Sequence, residues 1–478
     1  MTSASLIIEQ LRKIVGVDHA IELDDDRVAG HRHLLGEAAA TTSQPAAVLM
    51  PESVEQIQSI VKLAGTTGFS ITTVPNAAGN GAGLNGGNKP AVILDLDRMN
   101  KIIEFNPESG YALVEPGVSF DQLRSHIRDS GSAYWVDCDT NGANSVSGSI
   151  TERAFGYTPY GDHLLMQCGM EVVTGKGEVL RTGMGALPGS DTWQLFKYNY
   201  GPYLDGLFSR SDFAVVTKMG LWLMPAPPTY FPFMVELTDS TALEQAVEVL
   251  RPLKIGMVVP NTVILSHHSA DTDLLHAAGE TPTRDREQSE WTLYGALYGL
   301  AENVQITWDT IAGTLGSIPN ATVSTLMDPP QHPAWLLRTR LMRGESIFSK
   351  IAVESDRKLW FAASAPIEGK AAMAMQRIVQ ESFSRRNISY TYEYALTWRT
   401  LLMRVSIAYT SEDVAAHRDA ALGVIGELTA AGYPISHDSR GLTAAVSAAH
   451  TGDALQQLYT SLGDALDPQS VLRDGWSI

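Results

Sequence analysis

The sequence predicts an α+β chain of two domains. Three observations carry this prediction. Helix-spaced and strand-like apolar patterns mix through the first 224 residues, Pro225-Ala226-Pro227-Pro228 then breaks the chain, and a second mixed α/β stretch runs to about residue 430. Consecutive prolines continue neither a helix nor a strand, so the break reads as a domain boundary. The expected division is 1–230, 231–431 and a C-terminal segment, 432–478. That last segment is too short to fold alone and is expected to return to the first domain.

Residues 1–40 read as a polar, partly helical lead-in. Residues 54–64 place apolar side chains at helical spacing, with Ser53 as N-cap. Ser70 to Val74 reads as a short strand that runs into a glycine-rich loop. Ala91 to Leu96 and Tyr111 to Glu115 read as strands, as do Met170 to Val173 and Phe213 to Thr217. In the second stretch, helical patterns cover 240–251, 370–385 and 412–431.

Composition narrows the function class. Hydrophobic residues make up 44% and charged residues 18% of the 478, an ordinary globular balance. A net charge of -18 argues against nucleic acid as a partner, because phosphate backbones are bound by clustered Lys and Arg. Only Cys138 and Cys168 are present, which indicates neither a disulfide framework nor a metal-ligand set. His267-His268 reads as strand, where neighbours point to opposite sides, so no metal is expected there. No apolar run approaches about 18 residues, and no basic-flanked apolar leader opens the chain. A cytoplasmic protein that does not enter membranes is expected.

The segment Pro75-Asn76-Ala77-Ala78-Gly79-Asn80-Gly81-Ala82-Gly83 continues through Leu84-Asn85-Gly86-Gly87. Its glycines permit positive φ and close backbone approach. Successive main-chain N–H groups there can form a nest for an anion such as a pyrophosphate. A plain surface loop is the alternative. The segment is neither a Walker A loop nor a GxGxxG turn opening a helix.

Longer strings are more specific. They are Leu113 to Val118, Gly156-Tyr157-Thr158-Pro159-Tyr160-Gly161-Asp162-His163, Cys168 to Val173, Arg181 to Gly185, Gly201 to Phe208 and Val216 to Pro225. Together they resemble the vanillyl-alcohol oxidase and p-cresol methylhydroxylase flavoproteins, across nearly the whole chain. The resemblance implies a PCMH-type FAD-binding domain with an α/β cap over it. It places the pyrophosphate at Pro75, Asn76, Ala77, Ala78, Gly79, Asn80, Gly81 and Gly83. Pro116, Gly117, Val118, Ser145, Ser147, Gly148, Val215 and Val216 would line the rest of the FAD. It also implies a small-molecule substrate, hydride transfer to the flavin, an electron acceptor that is oxygen or a redox protein, and a homodimer.

The sequence departs from the family where the chemistry is done. At the positions of the covalent flavin anchor it carries Lys350 and Lys358, so non-covalent FAD is expected, with Lys358 beside the flavin. Two tyrosines and an arginine that hold a phenolate in the family fall at Ala82, Ser436 and His437. Thr140 stands where the family often has an Asp. Tyr157 is kept, and Arg404 replaces an apolar cavity residue. Tyr157, Arg404 and His437 are therefore the expected catalytic set, suited to a carboxylate or to a differently oriented phenol or enol. Trp360 and Trp398 are candidate aromatic walls. The rivals are the family's usual 4-alkylphenol or benzylic alcohol oxidation, and a flavin protein catalysing a non-redox step.

Overall fold

A computed structural model describes residues 3–22, 47–74, 89–198, 201–281, 289–328, 333–349, 358–410, 412–439, 442–450 and 452–472. The segment 75–83, assigned above to pyrophosphate, lies outside them, as does Lys350.

The chain opens with a helix, Ser3–Val15. It is more than a polar lead-in, because Ile8, Leu11 and Val15 fall on one face and are buried in the first core. Strands β1 (Ala20–Glu22), β2 (Ala47–Leu49), β3 (Ser70–Val74) and β4 (Ala91–Asp95) form one sheet in the order β1-β2-β4-β3. β2 and β3 run parallel to β4, and β1 is antiparallel to β2. The helix Val54–Thr67 crosses between β2 and β3. Ser53 caps it by accepting from the Gln56 N–H, as its sequence signalled.

A second sheet is antiparallel and holds β5 (Ile102–Asn106), β6 (Tyr111–Val114), β8 (Gln167–Thr174), β9 (Val179–Arg181) and β10 (Ala214–Trp222), in the order β5-β6-β10-β8-β9. The short β7 (Tyr134–Trp135) pairs with β11 (Met224–Pro225) just before the proline break. C-terminal Val471 and Leu472 pack into the first core, and the helix Asp453–Leu466 sends Tyr459, Leu462 and Leu466 against the second.

The remaining strands make one antiparallel sheet: β12 (Thr229–Leu237), β13 (Val263–His267), β14 (Trp291–Gly299), β15 (Ala321–Thr325), β16 (Lys358–Pro366), β17 (Thr391–Leu396), β18 (Thr400–Ala408) and β19 (Ile435–Asp438). Their order is β15-β12-β14-β13-β17-β18-β16-β19. β19, grouped by sequence with the C-terminal return, is thus hydrogen-bonded to β16 at the edge of this sheet. One face packs on the helices Ser240–Ile255, Gly369–Arg386 and Val414–Ala430, burying Leu265, Tyr394, Met403 and Ala363. His267 ends β13 and caps the helix His268–Ala278, so the two adjacent histidine rings lie 4.0 Å apart instead of on opposite sides of a strand.

Candidate active site

The other face of the large sheet carries a polar line. Ala362 pairs with His437 on one side and Arg404 on the other, Arg404 pairs with Glu393, and Glu393 pairs with Ser266. Directly paired residues share a face, so these five side chains stand abreast across five strands. Arg404 and His437 are therefore brought together, one strand apart, with only the methyl group of Ala362 between them.

Charges on this line are paired. Glu393 takes Arg404 Nη1 on Oε1 at 3.2 Å and Arg338 Nη2 on Oε2 at 2.8 Å. Arg338, from the helix Pro333–Leu341, also donates to Asp271 Oδ1 and to Ser266 Oγ, each at 3.0 Å. Tyr294 donates to Asp271 Oδ2 at 2.6 Å. Burial is the largest influence and opposes the charge on both arginines, but Glu393 together with Asp271 at Arg338 and with Tyr157 at both outweighs it and holds each above the usual arginine range. The Arg338 side chain is 3% exposed and that of Arg404 is 36% exposed, so Arg404 is the open end of the chain of ions.

The first domain meets this face with residues 153–157. Arg404 lies 5.6 Å from the Phe155 ring and is close enough to Tyr157 to act on it electrostatically. Tyr157 is buried beside Tyr294 and Trp335. Burial pushes its phenol up, and Arg404 pulls it back. His437 is engaged at both ring nitrogens, with Ser436 Oγ and the Arg153 carbonyl each at 2.9 Å, and its ring meets Phe155 edge-on. Burial, helped by the nearby arginines, pushes this histidine down to about 4.

The string Gly156 to His163 has a mechanical reason. Gly156 N–H donates to Gly161 O and Gly161 N–H to Thr158 O, closing a tight turn. A Cβ on Gly156 would fall 1.4 Å from Asp137 Oδ1. Asp137 Oδ2 accepts the Thr158 N–H at 2.7 Å, and Oδ1 meets His163 Nε2 at 2.8 Å. His163 Nδ1 meets Ser149 Oγ at 2.8 Å. A neutral ring satisfies both by donating to Asp137 and accepting from the serine. Tyr157 thus sits on a turn nailed to the helix Val146–Thr151.

That helix borders a cleft between the first two sheets. Pro116, Ser147 and Val216 line it with Thr72 and Thr73, at the end of the strand that leads into 75–83. Ser145 caps the helix through Gly148 N–H at 2.9 Å, and both Ser145 and Ser147 donate to Pro116 O, at 2.5 and 3.2 Å. Gly117 is needed where the chain passes the 96–99 turn, since a Cβ would lie 2.7 Å from Leu96 O. Val118 and Val215 are buried in the cores on either side. The cleft wall combines small, hydroxyl-bearing residues with Glu152, Arg210 and Asp212, and the hydroxyl-bearing part suits the sugar of a nucleotide cofactor.

Three residues stand apart from expectation. Lys358 contacts both oxygens of Asp273, at 2.7 and 2.6 Å. Trp398 lies in the β17–β18 turn and is exposed, while Trp360 joins Ser439 through its main chain. Beside Thr140, Asp139 is half-buried, and desolvation pushes it up against the pull of Asn144 and Asn141. Glu393, Arg338 and Asp271 were not found from sequence. The available signal was a lone charge in each of two apolar strands, which burial forces to pair.

Comparison with known proteins agrees with this architecture. Residues 45–183 match the FAD binding domain family. The flavoprotein subunit of 4-cresol dehydrogenase [hydroxylating] from Pseudomonas putida is 30% identical, over 98% of this chain and 94% of its own. The chain belongs to the p-cresol methylhydroxylase and vanillyl-alcohol oxidase flavoprotein family. A crystal structure of p-cresol methylhydroxylase with substrate bound superposes with a TM-score of 0.89 at 28% identity, covering 99% of this chain and 96% of that one. The 1'-carboxy-chondrochloren decarboxylase of Chondromyces crocatus is 32% identical over 57% of this chain and 50% of its own length. This family member is an FAD-dependent oxidoreductase with the PCMH-type fold. Among the described residues, no helix is long and apolar enough to cross a membrane.

Proposed function

We propose that this oxidoreductase acts on a small organic molecule carrying one anionic or phenolic oxygen, and that Arg404 and Tyr157 hold that oxygen. The observation that carries the reading is the open end of the buried ion chain: Arg404 is the half-buried cation at that end, next to the one retained family tyrosine. When bound, FAD supplies the redox chemistry by accepting a hydride. The protein's part is to orient. Glu393 fixes the Arg404 guanidinium, Tyr157 holds a hydrogen-bonding proton at its hydroxyl, and the apolar wall of Tyr294 and Trp335 excludes water. His437, with both nitrogens engaged, braces the cap edge against Arg153 in this reading.

A carboxylate is favoured over a phenolate. The family's phenolate-holding positions carry Ser436 and His437, and the name of one relative specifies a carboxylated substrate. The second reading, 4-alkylphenol oxidation, draws on the likeness to 4-cresol dehydrogenase. We place FAD non-covalently, with the diphosphate at 75–83 and the cleft of Pro116, Ser147 and Val216 holding the rest. Oxygen or a redox protein would take the electrons. A cytoplasmic homodimer that binds no nucleic acid completes the proposal.

Anaerobic mixing decides between substrates. Mandelate-type aromatic hydroxy acids are expected to bleach the flavin absorbance, and Arg404→Met to raise their KM about 10- to 100-fold, the worth of one charged hydrogen bond. Bleaching by 4-ethylphenol with equal efficiency in Arg404→Met sinks the carboxylate reading. Acid precipitation is expected to leave yellow colour in the supernatant; colour kept in the pellet means a covalent link.

A further inference from the structure

We infer that Asp137, His163 and Ser149 are positioning residues for the reaction, forming a buried hydrogen-bond relay that fixes Tyr157 against the substrate oxygen. The inference rests on the role proposed above for Tyr157 and adds the residues that act through it.

The first observation is where the relay grips. Asp137 Oδ2 accepts the Thr158 N–H at 2.7 Å. That N–H belongs to the peptide unit joining Tyr157 to Thr158, which is planar and includes the Tyr157 Cα. The carboxylate therefore holds one of the two main-chain planes that meet at the Tyr157 Cα. On the other side, Gly156 N–H donates to Gly161 O at 2.8 Å, and Phe155 bridges to Asp162, which closes the loop. The Tyr157 ring lies in the apolar cluster that holds Tyr294 and Trp335 of the cap.

The second observation is that the relay is buried and complete. Asp137 Oδ1 meets His163 Nε2 at 2.8 Å, and His163 Nδ1 meets Ser149 Oγ at 2.8 Å. All three side chains are buried. A carboxylate and an imidazole taken out of water destabilise a fold unless their polar atoms are paired. Here both carboxylate oxygens and both ring nitrogens have partners. Each bond sets the direction of the next, from the serine hydroxyl through the ring to the Thr158 N–H. Room for an alternative is small: a Cβ on Gly156 would fall 1.4 Å from Asp137 Oδ1, and the Phe120 ring stands 5.7 Å from the His163 ring.

The third observation is where the relay is rooted. Its members come from three separate segments of the first domain. Asp137 lies between Val136 and Cys138, both buried in the second core. Ser149 stands on the helix Val146–Thr151, which buries Val146 and Ile150 in the same core. His163 opens the turn of helix His163–Met166, capped by Asp162 through the Leu165 N–H at 2.9 Å. The two groups proposed to hold the substrate oxygen thus have independent supports. Arg404 is fixed by Glu393 within the cap, and Tyr157 by this relay within the first domain.

The test is a double-mutant cycle on anaerobic flavin reduction, with mandelate and 4-ethylphenol each offered as substrate. It is read as the maximal rate per bound flavin and the half-saturating substrate concentration. His163→Leu is expected to lower the maximal rate about 10- to 100-fold, the cost of a misplaced orienting group, and to leave half-saturation within about threefold, because Arg404 keeps its own support. Asp137→Ala is expected to match it. Asp137→Asn is the conservative variant. Its amide oxygen accepts the Thr158 N–H, its NH2 group donates to His163, and the ring donates in turn to Ser149, so the rate is expected to stay within about fivefold of wild type. An Asn variant as slow as the Ala variant overturns the inference, since the carboxylate would then act by its charge. Tyr157→Phe closes the cycle. In that background His163→Leu is expected to cost no more than about twofold in rate, while melting temperature falls alike in both backgrounds. Losses that multiply overturn the inference. So does a full rate per bound flavin in His163→Leu, which is what a purely structural cluster gives. If His163→Leu does not fold, Ser149→Ala goes through the same cycle with the same deciding outcomes. Wild-type flavin reduced by neither substrate, or reduced as fast in Tyr157→Phe, sinks the functional reading and this inference with it. A slowed Tyr157→Phe with multiplying losses sinks this inference only.

Discussion

At the scale of residues, Glu393 is the most exposed to test. It is shared by two arginines, one of them almost wholly buried. Glu393→Ala leaves both without that partner, and removing one member of a buried ion pair costs about 3–5 kcal/mol. Chemical denaturation should show a loss of that size, and a smaller one for Glu393→Gln, which keeps an acceptor for one arginine. A loss under about 1 kcal/mol in the Ala variant would mean the ion chain is solvated and does not set the position of Arg404. His437 gives a pH signature. Its folded-state pKa, about 4, lies below the ordinary 6.5, because burial disfavours the imidazolium. The unfolded chain therefore takes up the proton first on acidification. The stabilisation from the neutral ring is complete above about pH 6.5 and declines as pH falls through 4. His267, pushed down to about 3 mainly by burial, works in the same direction over a window reaching lower. Stability measured from pH 7 to 4 should fall, with a shallower slope in His437→Gln; an unchanged slope would place the imidazole in water.

At the scale of elements, the helix Val146–Thr151 is short, and its cap does much of the holding. Ser145 accepts the Gly148 N–H and donates to Pro116 O, so Ser145→Ala removes a cap and a strap together. A loss of about 1–2 kcal/mol is expected by thermal or denaturant unfolding, and an unchanged midpoint would show the helix is set by packing alone. Elements of this kind were legible in the sequence where the signal is local. Ser53 announced its helix, and the strand Ser70–Val74 was bounded as found, because capping and alternation depend on near neighbours. The helix Ser240–Ile255 ran through Pro252, beyond the expected end at 251, since a proline in the last turn forfeits only one main-chain bond. Register was not legible. The alignment of His437, Ala362, Arg404 and Glu393 joins strands far apart in sequence, and only the tertiary pairing of β19, β16, β18 and β17 fixes it. Arg404 and His437 were singled out through family resemblance, whereas Glu393 and Arg338, which no motif marks, became visible only with the pairing.

At the scale of the molecule, among the described residues two hydrogen-bonded seams join the first domain to the cap, and the polar line lies on the face that they close against that domain. One seam is the joint of His437 with Arg153 and of Arg210 with Asp438. The other brings residues 344–348 onto the first domain. Arg124 donates to Gly344 O at 2.6 Å and to Ser346 Oγ at 3.0 Å, Ser346 donates to Asp121 at 2.8 Å, and Gly142 N–H donates to Phe348 O at 2.9 Å. Gly344 is the tightest point. Its φ is +71°, and a Cβ there would lie 2.5 Å from the Val136 carbonyl oxygen. Backbone cannot move aside as a flexible side chain can, so Gly344→Ala must push the two surfaces apart as well as strain the turn. The expected result is local: faster amide hydrogen exchange at 140–142 and 344–348, a raised substrate KM, and FAD affinity within about twofold of wild type, because the cleft proposed for the cofactor lies between the first two sheets and away from this seam. Faster exchange spread evenly through both domains, or FAD lost in step with substrate, would mean that the two seams open as one unit and that the cap cannot loosen over its substrate without releasing the cofactor.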